Sequence, residues 1–445
     1  MARNIDVQAI AQAMASLELR DYGDVLQCMR CGSCLPTCPT YRTDGLETQS
    51  PRGRVAMIRA VMDGRLAPTE EFVAHMYHCL DCRNCQTVCP AGVKVGELVL
   101  EARHRIEKCL PQPLVKRFIL QSAIRDQKRL WRYLAPLRLY QRSGLQNVIR
   151  QSRVLAWLSS NLEFMEALLP PLPSQPLSET IPDVIPAQGK EKGRVGFFLG
   201  CAMNLLFVSI SRDTIEVLTR FGYTVVVPKG QQCCGTPNIA EGERTVYREM
   251  AEHNIALFED KAVDAIVCDC AACGMELKAY GETLAPVTRI ASRAEVFSRK
   301  VKDVSEFLVQ GLSEPVPFGA ISERVCFHDP CHLRHGQKVV TPQRILLRRI
   351  PELELVDIPD EGQCCGSAGI YNITHHERAM KILAAKVDAI DKTGAIRVVT
   401  SNPGCLMQLD YARRHWNKDW HVSHLSQVLR QALEQGERVK KSRSS

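Results

Sequence analysis

The sequence predicts a multi-domain α+β/α/β protein: a helical N-terminal domain followed by one α/β unit repeated twice. Three observations predict it. Two cysteine runs of identical spacing lie near the N-terminus, a helical apolar period separates them, and a pattern of strands, turns and cysteines recurs after about 130 residues. At 445 residues and 45% hydrophobic content the chain is long enough for several cores.

Twenty cysteines in so long a chain argue against the disulfide scaffold of a small secreted domain. The opening MARNIDVQAIAQAMASLELRDYGD carries Arg3, Asn4 and Asp6 and builds no export signal, so a cytoplasmic location is expected. The most apolar segment, Val195 to Ile210, is interrupted by Asn204 and is too short to span a bilayer. A net charge of +8 suits an anionic membrane surface or an acidic partner. No motif that reads bases accompanies it, so nucleic acid is not expected.

The first run is Cys28-Met-Arg-Cys31-Gly-Ser-Cys34-Leu-Pro-Thr-Cys38-Pro39 and the second Cys79-Leu-Asp-Cys82-Arg-Asn-Cys85-Gln-Thr-Val-Cys89-Pro90. Both are C-x2-C-x2-C-x3-C-P, the spacing with which a tight loop holds three irons of a 4Fe–4S cluster while the fourth cysteine serves the other cluster. Cys28, Cys31, Cys34 and Cys89 are therefore assigned to one 4Fe–4S cluster, and Cys79, Cys82, Cys85 and Cys38 to a second. Structural zinc and simple burial are the alternatives, but zinc needs four thiolates rather than four plus four in tandem. These residues act as ligands, and no catalytic residue is expected. The domain is drawn over 1–110, with motifs at about 18–48 and 70–99. Between the runs, Arg54-Val-Ala-Met-Ile-Arg-Ala-Val-Met62 has helical apolar spacing after a Ser50-Pro51 start. The arrangement resembles the helical ferredoxin-type module of respiratory dehydrogenases.

Residues 111–192 read as a basic helical connector and a Pro-rich linker. Lys116, Arg117, Arg125, Lys128, Arg129, Arg132, Arg138, Arg142, Arg150 and Arg153 face the single acid Asp126, with Trp131, Tyr133 and Tyr140 among them. Such a stretch suits a solvated face, an acidic partner or a peripheral contact with a membrane surface. Pro170, Pro171, Pro173, Pro176, Pro182 and Pro186 then crowd a stretch expected to hold no regular element.

The repeat follows, as 193–320 and 321–445. In the first copy a buried strand, Arg194-Val-Gly-Phe-Phe-Leu-Gly-Cys201, precedes a helix, the strand Tyr223 to Pro228, the triplet Cys233-Cys234-Gly235 and Asp264-Ala-Ile-Val-Cys-Asp-Cys270-Ala-Ala-Cys273. The second gives Arg324-Val-Cys-Phe-His-Asp-Pro-Cys331, Cys364-Cys365-Gly366 and Arg397-Val-Val-Thr-Ser-Asn-Pro-Gly-Cys405. Strands alternating with helices imply a mostly parallel sheet, with the cysteines at the strand ends where such folds bind ligands. The spacing resembles the cysteine-rich CCG domain of heterodisulfide reductase subunits, in which five cysteines hold a non-cubane 4Fe–4S cluster. That resemblance implies a further cluster on Cys201, Cys233, Cys234, Cys270 and Cys273. The second copy departs, with Gln408 standing where the last cysteine is expected, and leaves Cys331, Cys364, Cys365 and Cys405 for a different cluster, zinc or a structural role. Cys268 and Cys326 read as buried small residues, and His328, His332 and His335 as satisfied surface or turn histidines. Cys109 is assigned no role.

The whole chain resembles the glycolate oxidase iron–sulfur subunit family, which joins a two-cluster ferredoxin module to two CCG domains. The resemblance is carried by Cys28 through Tyr41, by Ser50-Pro51-Arg52-Gly53-Arg54 and by Asn402-Pro-Gly-Cys405-Leu-Met-Gln408, where Gln408 agrees with this pattern. It implies an electron-transfer subunit that receives electrons from an FAD-containing 2-hydroxy-acid oxidase subunit oxidising glycolate to glyoxylate. A quinone or other respiratory acceptor would take them at the inner face of the cytoplasmic membrane. The iron–sulfur subunit of glycerol-3-phosphate dehydrogenase and lactate-utilisation proteins share these parts, as does a disulfide-reducing alternative. No G-x-G-x-x-G follows a strand, so neither flavin nor nicotinamide is expected on this chain.

Overall fold

The computed structural model describes residues 6–15, 19–110, 113–152, 154–312, 316–360 and 362–444. Arg3, Asn4 and Arg153 lie outside them.

The N-terminal region is helical because its apolar residues recur at helical spacing and its helices are well started. Pro51–Met62 begins at Ser50, whose Oγ accepts from Gly53 N at 2.9 Å, with Pro51 in the first turn. Glu70–Tyr77 begins at Thr69, with Glu70 and Glu71 in its first turn. These helices and Val95–Cys109 pack Val55, Ile58, Phe72, Met76, Val99 and Ile106 into one core. Arg54 is buried among them and is satisfied by Gln49 O at 2.7 Å, His75 O at 2.9 Å and Gln49 Oε1 at 2.9 Å. The two cysteine runs lie at the edge of this core, the first in a loop and the second around the helical turn Asn84–Thr87, so the helices hold them in place.

Short helices follow, among them Leu114–Phe118, Gln127–Tyr133, Ala135–Arg142, Leu145–Ser152, Val154–Leu158 and Ser160–Leu168. The Pro-rich stretch does not lack regular structure. Leu177–Thr180 is a helical turn, and Val184–Ile185 is a strand, β1, which pairs antiparallel at a sheet edge. An edge strand tolerates flanking prolines because one side of its backbone needs no partner, which explains why Pro182 and Pro186 do not exclude it.

The repeat folds as two parallel sheets. The first contains β2 (Gly193–Phe198), β3 (Tyr223–Val226), β4 (Ala265–Cys268) and β5 (Val301–Asp303) in the order β1-β3-β2-β4-β5. The second contains β6 (Arg324–Phe327), β7 (Glu354–Val356), β8 (Arg397–Thr400) and β9 (His421–His424) in the order β7-β6-β8-β9. Apart from edge strand β1 the two orders are the same, and every pairing between the repeated strands is parallel. One core joins the sheets: Val195, Phe197 and Val225 pack with Val325, Phe327 and Val399, closed by Leu425, Val428 and Leu429 of helix Leu425–Ser444. No helix among the described residues is long and apolar enough to cross a membrane.

Candidate metal centres

In each N-terminal run the backbone winds through left-handed conformations at matching places: Arg30 and Gly32 in the first, Asp81 and Arg83 in the second. Positive φ is costly for the three non-glycine residues, so these turns persist only because the surrounding fold dictates them. Two backbone N–H groups in and after the second run point at sulfur. Asp81 N donates to Cys79 Sγ at 3.4 Å, and Val93 N to Cys89 Sγ at 3.4 Å.

The side chains converge on two adjoining recesses. The first is lined by Cys28, Cys31, Cys34, Cys85 and Cys89, and the second by Cys38, Cys79, Cys82 and Cys85. The fourth cysteine of each run thus reaches into the other run's recess, and Cys85 forms part of both walls. Burial pushes the Cys82 and Cys85 thiols well above their ordinary value, so a thiolate there needs the charge of a bound cation. Cys31 is exposed, which opens the first recess to the surface.

In the first α/β copy all five cysteines come together. Cys201 and Cys233 Sγ lie 3.5 Å apart, Cys234 and Cys273 Sγ lie 3.3 Å apart, and Cys273 N donates to Cys270 Sγ at 3.4 Å. Contacts with the Cys233 and Cys273 thiols hold Cys234 well below the usual thiol range. Gly235 makes the turn possible: its φ is +90°, and a Cβ there would meet Tyr247 at 2.4 Å. Cys268 is buried as expected, with its thiol directed at the Cys270 carbonyl at 3.4 Å.

The second copy brings together Cys331, Cys364, Cys365 and Cys405. Cys365 and Cys405 Sγ are 3.5 Å apart, and Gly366 N donates to Cys364 Sγ at 3.4 Å. Here the structure corrects the position of the missing cysteine. Phe197 pairs with Val267 and Phe327 with Val399, which aligns β8 with β4 and Asn402 with Cys270. Helix Ala271–Thr283 starts from Cys270 and helix Pro403–His415 from Asn402, so Cys273 and Cys405 are equivalent third residues. Gln408 lies one turn further on, buried and accepting from Asn372 Nδ2 at 2.8 Å. The C-x2-C spacing of the first copy, laid on the second with the strands in register, is the signal that marks Asn402. Its amide lies between the two sites, with Oδ1 accepting from Ala272 N at 3.2 Å and Nδ2 donating to Cys405 Sγ at 3.5 Å.

The three histidines divide. His332 Nε2 lies 3.1 Å from Asp81 O, and His335 bonds Thr87 Oγ1 and Gly362 O, each at 3.1 Å, so both are satisfied and tie this copy to the second run. His328 is neither exposed nor satisfied. It is 1% exposed, neither ring nitrogen has a hydrogen-bond partner among the described residues, and burial holds the imidazole neutral. Cys326 is buried in its strand, in one apolar cluster with Phe164, Leu383, Cys365 and Cys405. The second run leans on this copy, with Leu80 and Cys82 sharing an apolar cluster with Cys364 and Tyr371.

Comparison with known proteins agrees with this layout. A cysteine-rich domain model matches residues 195–278 and 325–410, and a 4Fe-4S dicluster domain model matches 24–93. A model described as the linker region of the glycolate oxidase iron-sulfur subunit matches 111–169. The probable glycolate oxidase iron-sulfur subunit of Bacillus subtilis (strain 168) is 39% identical over 423 residues, covering 93% of this chain and 95% of that protein. The glycolate oxidase iron-sulfur subunit of Escherichia coli (strain K12) is 30% identical over 416 residues, covering 92% and 94%. Lactate utilization protein A of Shouchella clausii is 28% identical over 235 residues, 53% of this chain and 98% of that one. A crystal structure of a hypothetical protein from Helicobacter pylori shares the fold at a TM-score of 0.52 and 10% identity, covering 96% of this chain and 77% of that one.

Proposed function

The chain belongs to the glycolate oxidase iron–sulfur subunit family, and on that premise we propose that it is the electron-transfer subunit of a glycolate-oxidising complex. An FAD-containing partner subunit converts glycolate to glyoxylate, and this chain takes the electrons on toward a quinone or other respiratory acceptor at the inner face of the cytoplasmic membrane. One observation carries the reading: eight cysteines line two adjoining recesses, one open at Cys31 and the other packed against the cysteine-rich domains. Iron–sulfur clusters bound there supply one-electron exchange between a two-electron donor and its acceptor.

This chain's own residues prepare that exchange. Cys28, Cys31, Cys34 and Cys89 hold one 4Fe–4S cluster, and Cys79, Cys82, Cys85 and Cys38 the other. The five thiols of the first cysteine-rich domain hold a further cluster. Backbone N–H groups at Asp81 and Val93, donating to Cys79 and Cys89 Sγ, stabilise thiolate charge. No dinucleotide fingerprint is present in the sequence, so substrate chemistry belongs to the partner.

The test is anaerobic purification from the native host with a tag on this chain, followed by dye reduction with glycolate, D-lactate and glycerol 3-phosphate. A copurifying flavoprotein and glycolate-dependent reduction are expected. D-lactate or glycerol 3-phosphate as the sole active substrate overturns the glycolate assignment and leaves the electron-transfer role standing. A chain recovered alone, without flavin and inert to all three, overturns the complex itself.

A further inference from the structure

The second cysteine-rich domain differs from the first at two positions that compensate each other. The thiol of Cys270 is replaced by the amide of Asn402, and the ring of Phe198 by the imidazole of His328, which follows Phe327 just as Phe198 follows Phe197 in the aligned strands. Phe198 is wholly buried in an apolar core. His328 is equally buried but carries two polar atoms, and both lack a partner among the described residues. An imidazole stripped of water with neither nitrogen bonded is destabilising unless a ligand is bound.

Its surroundings show which ligand. A ring nitrogen of His328, Cys365 Sγ and Cys405 Sγ all lie within 4.8 Å of one another. Among the described residues no other three donors from His, Cys, Asp or Glu gather so closely, neither in the N-terminal recesses nor among the five cysteines of the first copy. A polynuclear cluster spreads its thiolates over separate corners, whereas a single ion draws every donor to one point. Tetrahedral zinc, with bonds of about 2.3 Å to sulfur and about 2.0 Å to nitrogen, suits a mixed set of soft and borderline donors. Cys364, in thiol contact with Cys365, offers a fourth donor from the same turn.

We propose that the second cysteine-rich domain holds one zinc ion on His328, Cys365 and Cys405, with Cys364 as the fourth ligand. The ion fastens the end of β6, the Cys364-Cys365-Gly366 turn and the start of helix Pro403–His415 to one another. Binding releases the thiol protons to solvent and involves no electron transfer, because zinc is redox-inert. The bound domain buttresses the second cysteine run, which packs on Cys364 through Leu80 and Cys82.

The test uses the holoprotein in its complex, purified anaerobically, with metal analysis and zinc-edge X-ray absorption. The expected result is about one zinc per chain beside the iron, with about one nitrogen and three sulfurs around it. His328→Phe, which installs the residue of the first copy, is expected to lower zinc content about tenfold or more. Iron content and the electron paramagnetic resonance of the reduced N-terminal clusters should stay unchanged. Absence of zinc from the wild-type protein overturns the proposal, as does an all-sulfur zinc shell or a His328→Phe protein that loses iron instead. Should that variant fail to fold, the nitrogen shell of the wild-type spectrum decides. None of these readouts depends on glycolate oxidation, so the zinc site and the electron-transfer role stand or fall separately.

Discussion

Asp303 shows how a single buried residue sets a pH response. Its carboxylate caps helix Val304–Gln310, accepting from Ser305 N at 2.9 Å, and burial pushes its pKa from 3.8 to about 6. The folded protein therefore takes up this proton before the unfolded chain does. The stability contributed is fully present below pH 3.8 and is lost as pH rises through about 6. Asp303→Asn keeps a capping oxygen and removes the charge. At pH 8 it is expected to be more stable than the wild type by roughly 1–3 kcal/mol, with the advantage shrinking toward pH 5. Thermal unfolding of the two anaerobic holoproteins at both pH values measures it, and equal differences at the two would count against a buried, ionising Asp303.

At the scale of elements, the Cys-Cys-Gly turns are tight constraints. Gly235 and Gly366 have φ of +90° and +86°, and a Cβ on Gly366 would lie 2.8 Å from Ala379 O. Left-handed backbone and overpacking add, so Gly366→Ala is expected to cost about 3 kcal/mol and to lower zinc retention in the second domain. A midpoint of denaturation unchanged from wild type would show that helix His376–Asp391 shifts to accept the methyl group. The equivalence of Gly235 and Gly366 was legible in the sequence, because a triplet that recurs at a fixed period marks two copies of one supersecondary unit.

For the molecule as a whole, the connector helices leave large apolar side chains in solvent. Leu114 is 82% and Trp157 85% exposed, with Leu139 and Val148 also exposed, among the basic residues of the same segment. Apolar side chains gathered on one segment mark a surface for association. Leu139→Glu with Trp157→Glu is expected to weaken recovery of the proposed flavoprotein partner about tenfold while metal content stays constant. Undiminished recovery would move the partner interface elsewhere.

The sequence by itself determined the fold class and singled out the eight N-terminal cysteines that line the two recesses, since ligand spacing is local and the C-x2-C-x2-C-x3-C-P runs carry it without help from the rest of the chain. It also determined the repeat, the helix starting at Ser50 and the strands ending near Cys201, Cys268 and Cys331. Tertiary structure alone decided three things. It decided that Val184–Ile185 joins a sheet, because an edge strand is defined by its neighbour β3. It decided that Asn402, not Gln408, stands in the place of the lost thiol, because strand register and helix start depend on pairing. And it decided that the His328 imidazole has no hydrogen-bond partner among the described residues and lies beside Cys365 and Cys405, because burial and proximity depend on residues distant in sequence.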